Sequence, residues 1–278
     1  MSLKSPKLWI VATPIGNLGD ISFRAKEVLS KVDVILAEDT RKAGIFCSLI
    51  GIEKKKFLSL FDQNEDKRIH DVIKLLEEGK EVAIISNAGT PVISDPGYKV
   101  VKACREKGFE ISVVPGPCAP IAALVLSGFP PIPFSFLGFL PRSKGDKKKL
   151  FLRFKDTKST LIFFERKSRI VDSIKCLFEV LGERKVCIAR ELTKKHEEVI
   201  FIDSTDEIEK ISHLKGELTV VVSPMKNDEK KPSIEEIKEI ILEKINEHKT
   251  TKEIIKELME ITSGWSQKEL YKMVLELK

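Results

Sequence analysis

Leu8-Trp9-Ile10-Val11-Ala12-Thr13-Pro14-Ile15-Gly16-Asn17-Leu18-Gly19-Asp20 decides the fold. A short apolar run, rich in β-formers, breaks into a Gly/Pro loop. Then Ala25, Val28, Leu29 and Val32 repeat at helical spacing between Phe23 and Val32. Strand, loop and helix in that order are the first unit of a parallel α/β sheet. The pattern recurs outward. Asp33–Ala37 reads as a second strand, and Phe57–Leu60 as a weaker third. A helix over Asp66–Glu78 stops at Gly79, and Val82–Ile85 and Ile111–Val114 are further strands.

Three loops each follow an apolar strand directly: Thr13–Asp20, Ser86–Gly97, and Pro115-Gly116-Pro117-Cys118-Ala119. Ligands of open α/β sheets bind beyond the carboxyl ends of the strands. Glycine lets backbone approach a ligand closely, and proline stiffens the approach. Three such loops on one edge imply one small-molecule site. The first loop is not G-x-G-x-x-G, which argues against an ordinary dinucleotide fold. The sequence contains neither a phosphate-binding G-x-x-x-x-G-K-[ST] nor a G-x-S-x-G nucleophile elbow.

Pro130, Pro131, Pro133 and Pro141 cluster between Gly128 and Pro141. They predict a connection between domains and no regular element. Beyond them the pattern restarts. Strands are expected at Thr160–Phe164, Val186–Ala189, Val199–Ile202 and Leu218–Val222, with a helix over Ile170–Leu181, forming a mixed sheet. After the polar run Lys226–Lys231, Ser233 is a helix N-cap, and two more helices follow at Thr251–Ile261 and Gln267–Leu277. The expectation is an α/β protein: an N-terminal α/β domain over 1–127, a second α/β domain over 128–225 and a small helical domain over 226–278.

At 278 residues with 42% hydrophobic content the chain is globular and buries a core without staples. Five scattered cysteines, with no C-x-x-C pair, suit a reducing compartment. No signal peptide precedes Pro6 and no run approaches a membrane span, so a soluble cytoplasmic protein is expected, without a membrane partner. The four histidines lack ligand spacing, and no metal is expected. Between Arg142 and Lys158 stand eight basic and two acidic residues, an excess of six, equal to the net charge of the whole chain. Such a segment either tracks a polyanion or is a solvated helix face. Residues 226–278 hold 11 basic and 12 acidic residues and are no polybasic arm.

Further segments sharpen the reading: Ala37-Glu38-Asp39-Thr40-Arg41, Ala88–Gly97, Gly138-Phe139-Leu140-Pro141-Arg142 and Ala189–Glu198. Together with Ala12–Asp20 and Pro115–Pro117 they resemble the ribosomal-RNA-methylating enzymes of the tetrapyrrole methylase superfamily, from about Leu8 to Val222. The resemblance implies two α/β domains with S-adenosyl-L-methionine in the cleft between them, and a homodimer. It implies methyl transfer to the ribose 2′-hydroxyl of a cytidine in small-subunit rRNA, free or in the assembled 30S subunit. It places cofactor contacts on Pro14 and Gly16, on Asn87, Ala88, Gly89, Thr90, Val92 and Ile93, and on Cys118 and Ala119. Further contacts fall on Phe164 and Glu165, and on Arg190, Glu191, Leu192 and Thr193. The chain departs from the family at Asn87, where aspartate is usual, and at Phe164-Glu165-Arg166-Lys167-Ser168-Arg169. The usual run there is a tyrosine, an acidic residue and Pro-His-Arg.

Methyl transfer from a sulfonium is an in-line displacement in a water-poor cleft. The acceptor hydroxyl needs its proton taken or its lone pairs positioned. Glu38, Asp39 and Asp95 are the candidate bases. Lys194 could polarise the hydroxyl, or act as a base if desolvated. Arg41 suits a phosphate, as do Arg142, Lys144, Lys147, Lys148 and Lys149. Glu38–Arg41 reads equally as a helix cap with internal ion pairs. Two rival functions stand beside this one: methylation of a tetrapyrrole carbon, and a non-catalytic RNA-binding assembly protein.

Overall fold

The computed structural model describes residues 7–53, 55–214, 216–225, 232–261 and 265–278. Residues 1–6, where no signal peptide is expected, and the polar run Lys226–Lys231 lie outside them. The chain divides into two compact units, residues 1–225 and 226–278.

The first unit opens with five parallel strands: β1 (Lys7–Val11), β2 (Val34–Ala37), β3 (Lys56–Ser59), β4 (Val82–Ile85) and β5 (Glu110–Val114), in the order β3-β2-β4-β1-β5. Between them run helices α1 (Phe23–Lys31), α2 (Thr40–Leu49), α3 (Glu65–Glu77) and α4 (Tyr98–Glu106). Side chains alternate across a strand, so each strand feeds two cores. Val11, Ile35, Ala83 and Ile85 pack with Val28 and Leu29 of α1 and Ala43 and Cys47 of α2. Leu8, Ile10, Leu36 and Ile84 pack on the other face with Val72 and Leu76 of α3 and Val100 of α4. This double coverage is why β2 and β4 read as unbroken apolar runs.

Helix α5 (Ala119–Ser127) leads to the second sheet: β6 (Phe134–Phe139), β7 (Thr160–Arg166), β8 (Val186–Arg190), β9 (Glu198–Ile202) and β10 (Glu217–Val222). The order is β6-β7-β10-β8-β9. Only β6 and β7 run parallel, so the sheet is mixed. Helices α6 (Lys144–Leu152), α7 (Ile170–Leu181) and the short α8 (Glu209–Ser212) cover one face. Ala123 and Leu124 of α5 pack on the other, against Ile162, Cys187 and Val221.

The proline cluster does carry a regular element. β6 starts directly after Pro133, on the sheet's edge, where the lost donor of a preceding proline costs no ladder bond. Helix α5 went unread because it is apolar on every side and shows no period.

The second unit contains α9 (Ile234–Asn246), α10 (Thr251–Ile261) and α11 (Gln267–Leu277). Ile237, Ile241, Ile254, Leu258, Leu270 and Val274 form its buried centre. Ser233 caps α9 in a reciprocal box with Glu236, and Ser266 caps α11 with Glu269. Among the described residues no helix is long and apolar enough to cross a membrane.

Candidate active site

The three loops of the first sheet are laced into one surface. Thr13 and Gly89 exchange backbone hydrogen bonds at 2.9 and 3.0 Å. Ser86 Oγ donates to the Gly89 carbonyl at 2.9 Å, and Thr90 Oγ1 donates to the Pro117 carbonyl at 3.0 Å. Gly89 holds φ +78° with Ile15 and Pro117 against it, a conformation and a space that admit a side chain only with strain.

The second sheet closes over this surface through the loop after β8. The Asn17 amide donates to Thr193 Oγ1 at 3.1 Å. A side chain at Gly16 would collide with Leu192, Thr193 and Lys194. Among the described residues of the first unit, three that are not glycine have positive φ: Val92, Glu191 and Thr193. All three lie in these loops, where surrounding bonds hold the backbone against its preference.

Between the two sheets' loops lies a cleft of about 620 Å³, adjoined by a recess of about 300 Å³. Asn87, Ala88, Gly89, Thr90, Ile93, Cys118, Ala119, Phe164, Glu165, Leu192 and Asp95 border the cleft. Pro14, Gly16 and Lys194 border the recess, as do Asn87 and Ala88. Val92, Arg190, Glu191 and Thr193 are not among the residues that line either. Arg190 pairs with Glu198 at 2.6 Å, and Val92 packs against Gly97. An apolar cleft of this size with a few fixed polar groups suits a nucleoside-sized ligand.

The four candidates for proton transfer separate on electrostatics. Asp39 caps α2, accepting from the Arg41 amide at 3.0 Å and from the Arg41 guanidinium. Its hydrogen bonds with Arg41 hold its carboxyl below the usual range, which suits a cap and not a base. Lys194 is paired with Glu191 at 3.3 Å and Glu217 at 3.0 Å. Burial works against its charge, but those pairs outweigh it and hold the ammonium above the usual lysine range, the reverse of a desolvated base. Glu38 accepts a 2.6 Å hydrogen bond from Asn87 Nδ2. Asp95 is half-buried on the cleft wall. Burial, with the Glu38 charge second, pushes its carboxyl up to about 6.

Two expectations need correction. Lys147 is only 4% exposed and cannot meet a phosphate. Its Nζ donates to Ser173 Oγ at 2.8 Å, which donates to Glu165 Oε2 at 2.5 Å. Lys147 occupies the inward side of α6 because Phe151, one turn on, is wholly buried on that side. Glu165 borders the cleft, yet its carboxylate is turned away, bound to Ser173, to Arg169 at 2.9 Å and to the Arg166 amide at 2.8 Å. Any contact it makes with a ligand is through backbone. Of the other basic residues, Lys144 and Lys148 pair with Glu179, and Lys149 stands 3.8 Å from Asp146. Arg41 and Arg142 are exposed.

The cleft also uses residues that the sequence reading did not single out. Gly216–Thr219 at the start of β10 form part of the wall, and no local motif marks them. Phe139 also lines it, inside the quoted Gly138–Arg142 segment. A phenylalanine in a glycine-proline loop was the available signal.

A profile of the tetrapyrrole (corrin/porphyrin) methylases matches residues 7–209. A Thermotoga maritima protein named ribosomal RNA small subunit methyltransferase I is 46% identical over 222 residues, covering 78% of this chain and 98% of the relative. A Rickettsia prowazekii protein of the same name is 39% identical over 282 residues, covering 100% and 99%. Among solved structures, the uroporphyrin-III-C-methyltransferase of Thermus thermophilus superposes with a TM-score of 0.55 at 18% identity, over 78% of this chain and 94% of that one. At that identity the likeness speaks for the fold alone.

Proposed function

The chain belongs to the tetrapyrrole methylase family, and we propose that it is an S-adenosyl-L-methionine-dependent methyltransferase acting on the ribose 2′-hydroxyl of a cytidine in small-subunit rRNA. The observation that carries this reading is the likeness, along the whole chain, to a relative named for small-subunit rRNA methylation.

S-Adenosyl-L-methionine, when bound, supplies an electrophilic methyl group, so the protein needs no nucleophile of its own. Pro14, Gly16, Asn87, Ala88, Gly89, Thr90, Ile93, Cys118, Ala119, Phe164, the Glu165 backbone and Leu192 would hold it. Arg190, Glu191 and Thr193 would support that wall. The lacing of Thr13, Gly89, Thr90 and Pro117 fixes the backbone before any ligand arrives, which supports alignment of the reacting atoms. Asp95 would take up the proton of the acceptor hydroxyl on its carboxylate. A carboxyl near 6 is matched to that task at neutral pH. Glu38, held by Asn87, contributes to that raised value. Arg41, Arg142, Lys144, Lys148 and Lys149 face RNA phosphates. The setting is the cytoplasm.

The two sheets serve as lobes, 1–127 and 128–225, with residues 226–278 an added helical domain. A homodimer is supported by α5: Ile121, Val125 and Leu126 are exposed on a helix with no polar face, and Val125 is 75% exposed. Sedimentation should give a dimer, and Val125→Asp a monomer. The functional test is methyl transfer from labelled S-adenosyl-L-methionine to small subunits or free rRNA. Label in neither would refute the reading.

A further inference from the structure

We propose that Phe139 is the platform on which the base of the target nucleoside stacks as its ribose enters the cleft. The proposal rests on the rRNA reading above. Phe139 is 55% exposed although it lines the cleft. Its ring is braced by Phe164, whose ring lies 5.2 Å away, tilted by 52°. Phe164 is braced in turn by Phe136, edge-on at 5.1 Å. Three rings thus form a ledge whose outermost member keeps an open face.

The backbone is built to aim that ring. Phe136 and Phe139 are three apart, so a regular strand would send them to opposite faces. Instead the register between β6 and β7 shifts between them, with Phe136 opposite Ile162 and Phe139 opposite Phe164. Gly138 takes φ +66° at the shift, and its Cβ position lies 3.9 Å from Ser94 Oγ. The irregularity puts both rings on Phe164 and brings the strand end beside the Ser94–Asp95 loop. Bulges of this kind re-aim a side chain next to a site.

The surroundings select the ligand. Asp95 lies on the same cleft wall system, and Arg166 and Lys167 border the same cleft. A flat π surface that shares one cleft with a proton acceptor and two cations suits one nucleotide: base on the ring, ribose toward the carboxylate, phosphates on the cations. A 2′-hydroxyl reaches so narrow a cleft only if its nucleoside leaves the stack, and an aromatic face replaces the lost neighbour.

The test compares wild type with F139A, F139L and F139W, using small ribosomal subunits as the RNA probe. Base–aromatic stacking corresponds to roughly tenfold or more in affinity per base. F139A and F139L should each weaken subunit binding by about tenfold, while F139W binds like wild type. Cofactor affinity by calorimetry and the melting temperature should stay near wild type in all three. With an active wild type, F139L binding subunits as wild type does would overturn the stacking role, because apolar bulk alone would suffice. A parallel loss of cofactor affinity in F139A would also overturn it, placing the ring against the cofactor. A wild type that methylates a tetrapyrrole and no rRNA would overturn the functional reading, and the stacking role with it.

Discussion

Asp95 gathers the chemical argument at the scale of single residues. A base must be ionised to act, and burial pushes this carboxyl up to about 6. Single-turnover methylation should therefore rise with pH through about 6 and level off above it. Asp95→Asn should lower the plateau rate at least about tenfold, since general bases contribute roughly 10²–10⁴-fold, with cofactor affinity unchanged. Asp39→Asn should act on stability instead, through the α2 cap. A full-rate Asp95→Asn enzyme would refute base catalysis there. The folded carboxyl sits above the unfolded value of about 3.9. The folded state therefore holds the proton between about 4 and 6, and stability attributable to Asp95 falls as pH rises through that window. Asp95→Asn should flatten that fall in a melting series.

Gly89 makes the second prediction at this scale. Gly89→Val should abolish cofactor binding. At φ +78° a branched side chain adds strain of about 1–2 kcal/mol, so the melting temperature should fall together with cofactor affinity. An unchanged melting temperature would mean that the loop relaxes freely. Which glycine and which carboxylate do what was only partly legible. The loops announce themselves by composition, but burial and charge around Asp95 depend on Glu38, which another strand delivers.

At the scale of elements, α6 is the instructive case. Its run of lysines reads as one basic face, yet a helix turns consecutive side chains in different directions. Lys147 falls inward while Lys144 and Lys149 stay outside. Lys147→Ala should destabilise by about 1–3 kcal/mol, because Ser173, the hydroxyl that donates to Glu165, loses a buried partner. Its effect on RNA affinity should track that unfolding. Lys149→Ala should leave the melting temperature alone and reduce the salt slope of RNA binding by about one unit or less. The opposite pattern, an unchanged melting temperature in Lys147→Ala with reduced RNA affinity, would return Lys147 to the surface. The strands of the first sheet were legible because both of their faces are buried. β6 and α5 were not, the one hidden behind prolines and the other lacking a polar side.

At the scale of the molecule, the described residues that border the cleft and its recess run from Thr13 to Thr219, inside the first compact unit. A chain ending at Met225 should bind cofactor within about twofold of full length, a difference below about 0.5 kcal/mol. A larger loss by calorimetry would tie residues 226–278 to the site. Family membership was readable from motifs in order along the first 222 residues, whereas the closing of one sheet's loops on the other's, through Gly16 and Thr193, needed coordinates. The central claim is transfer of a methyl group to a ribose oxygen of small-subunit rRNA. The direct measurement is mass-spectrometric mapping of rRNA after incubation of small subunits with the protein and isotopically labelled S-adenosyl-L-methionine. One labelled cytidine is predicted, with the label on its 2′-oxygen and accumulating at least about tenfold more slowly with Asp95→Asn. Label on a base carbon, or rRNA unlabelled while a tetrapyrrole acceptor is methylated, would contradict it.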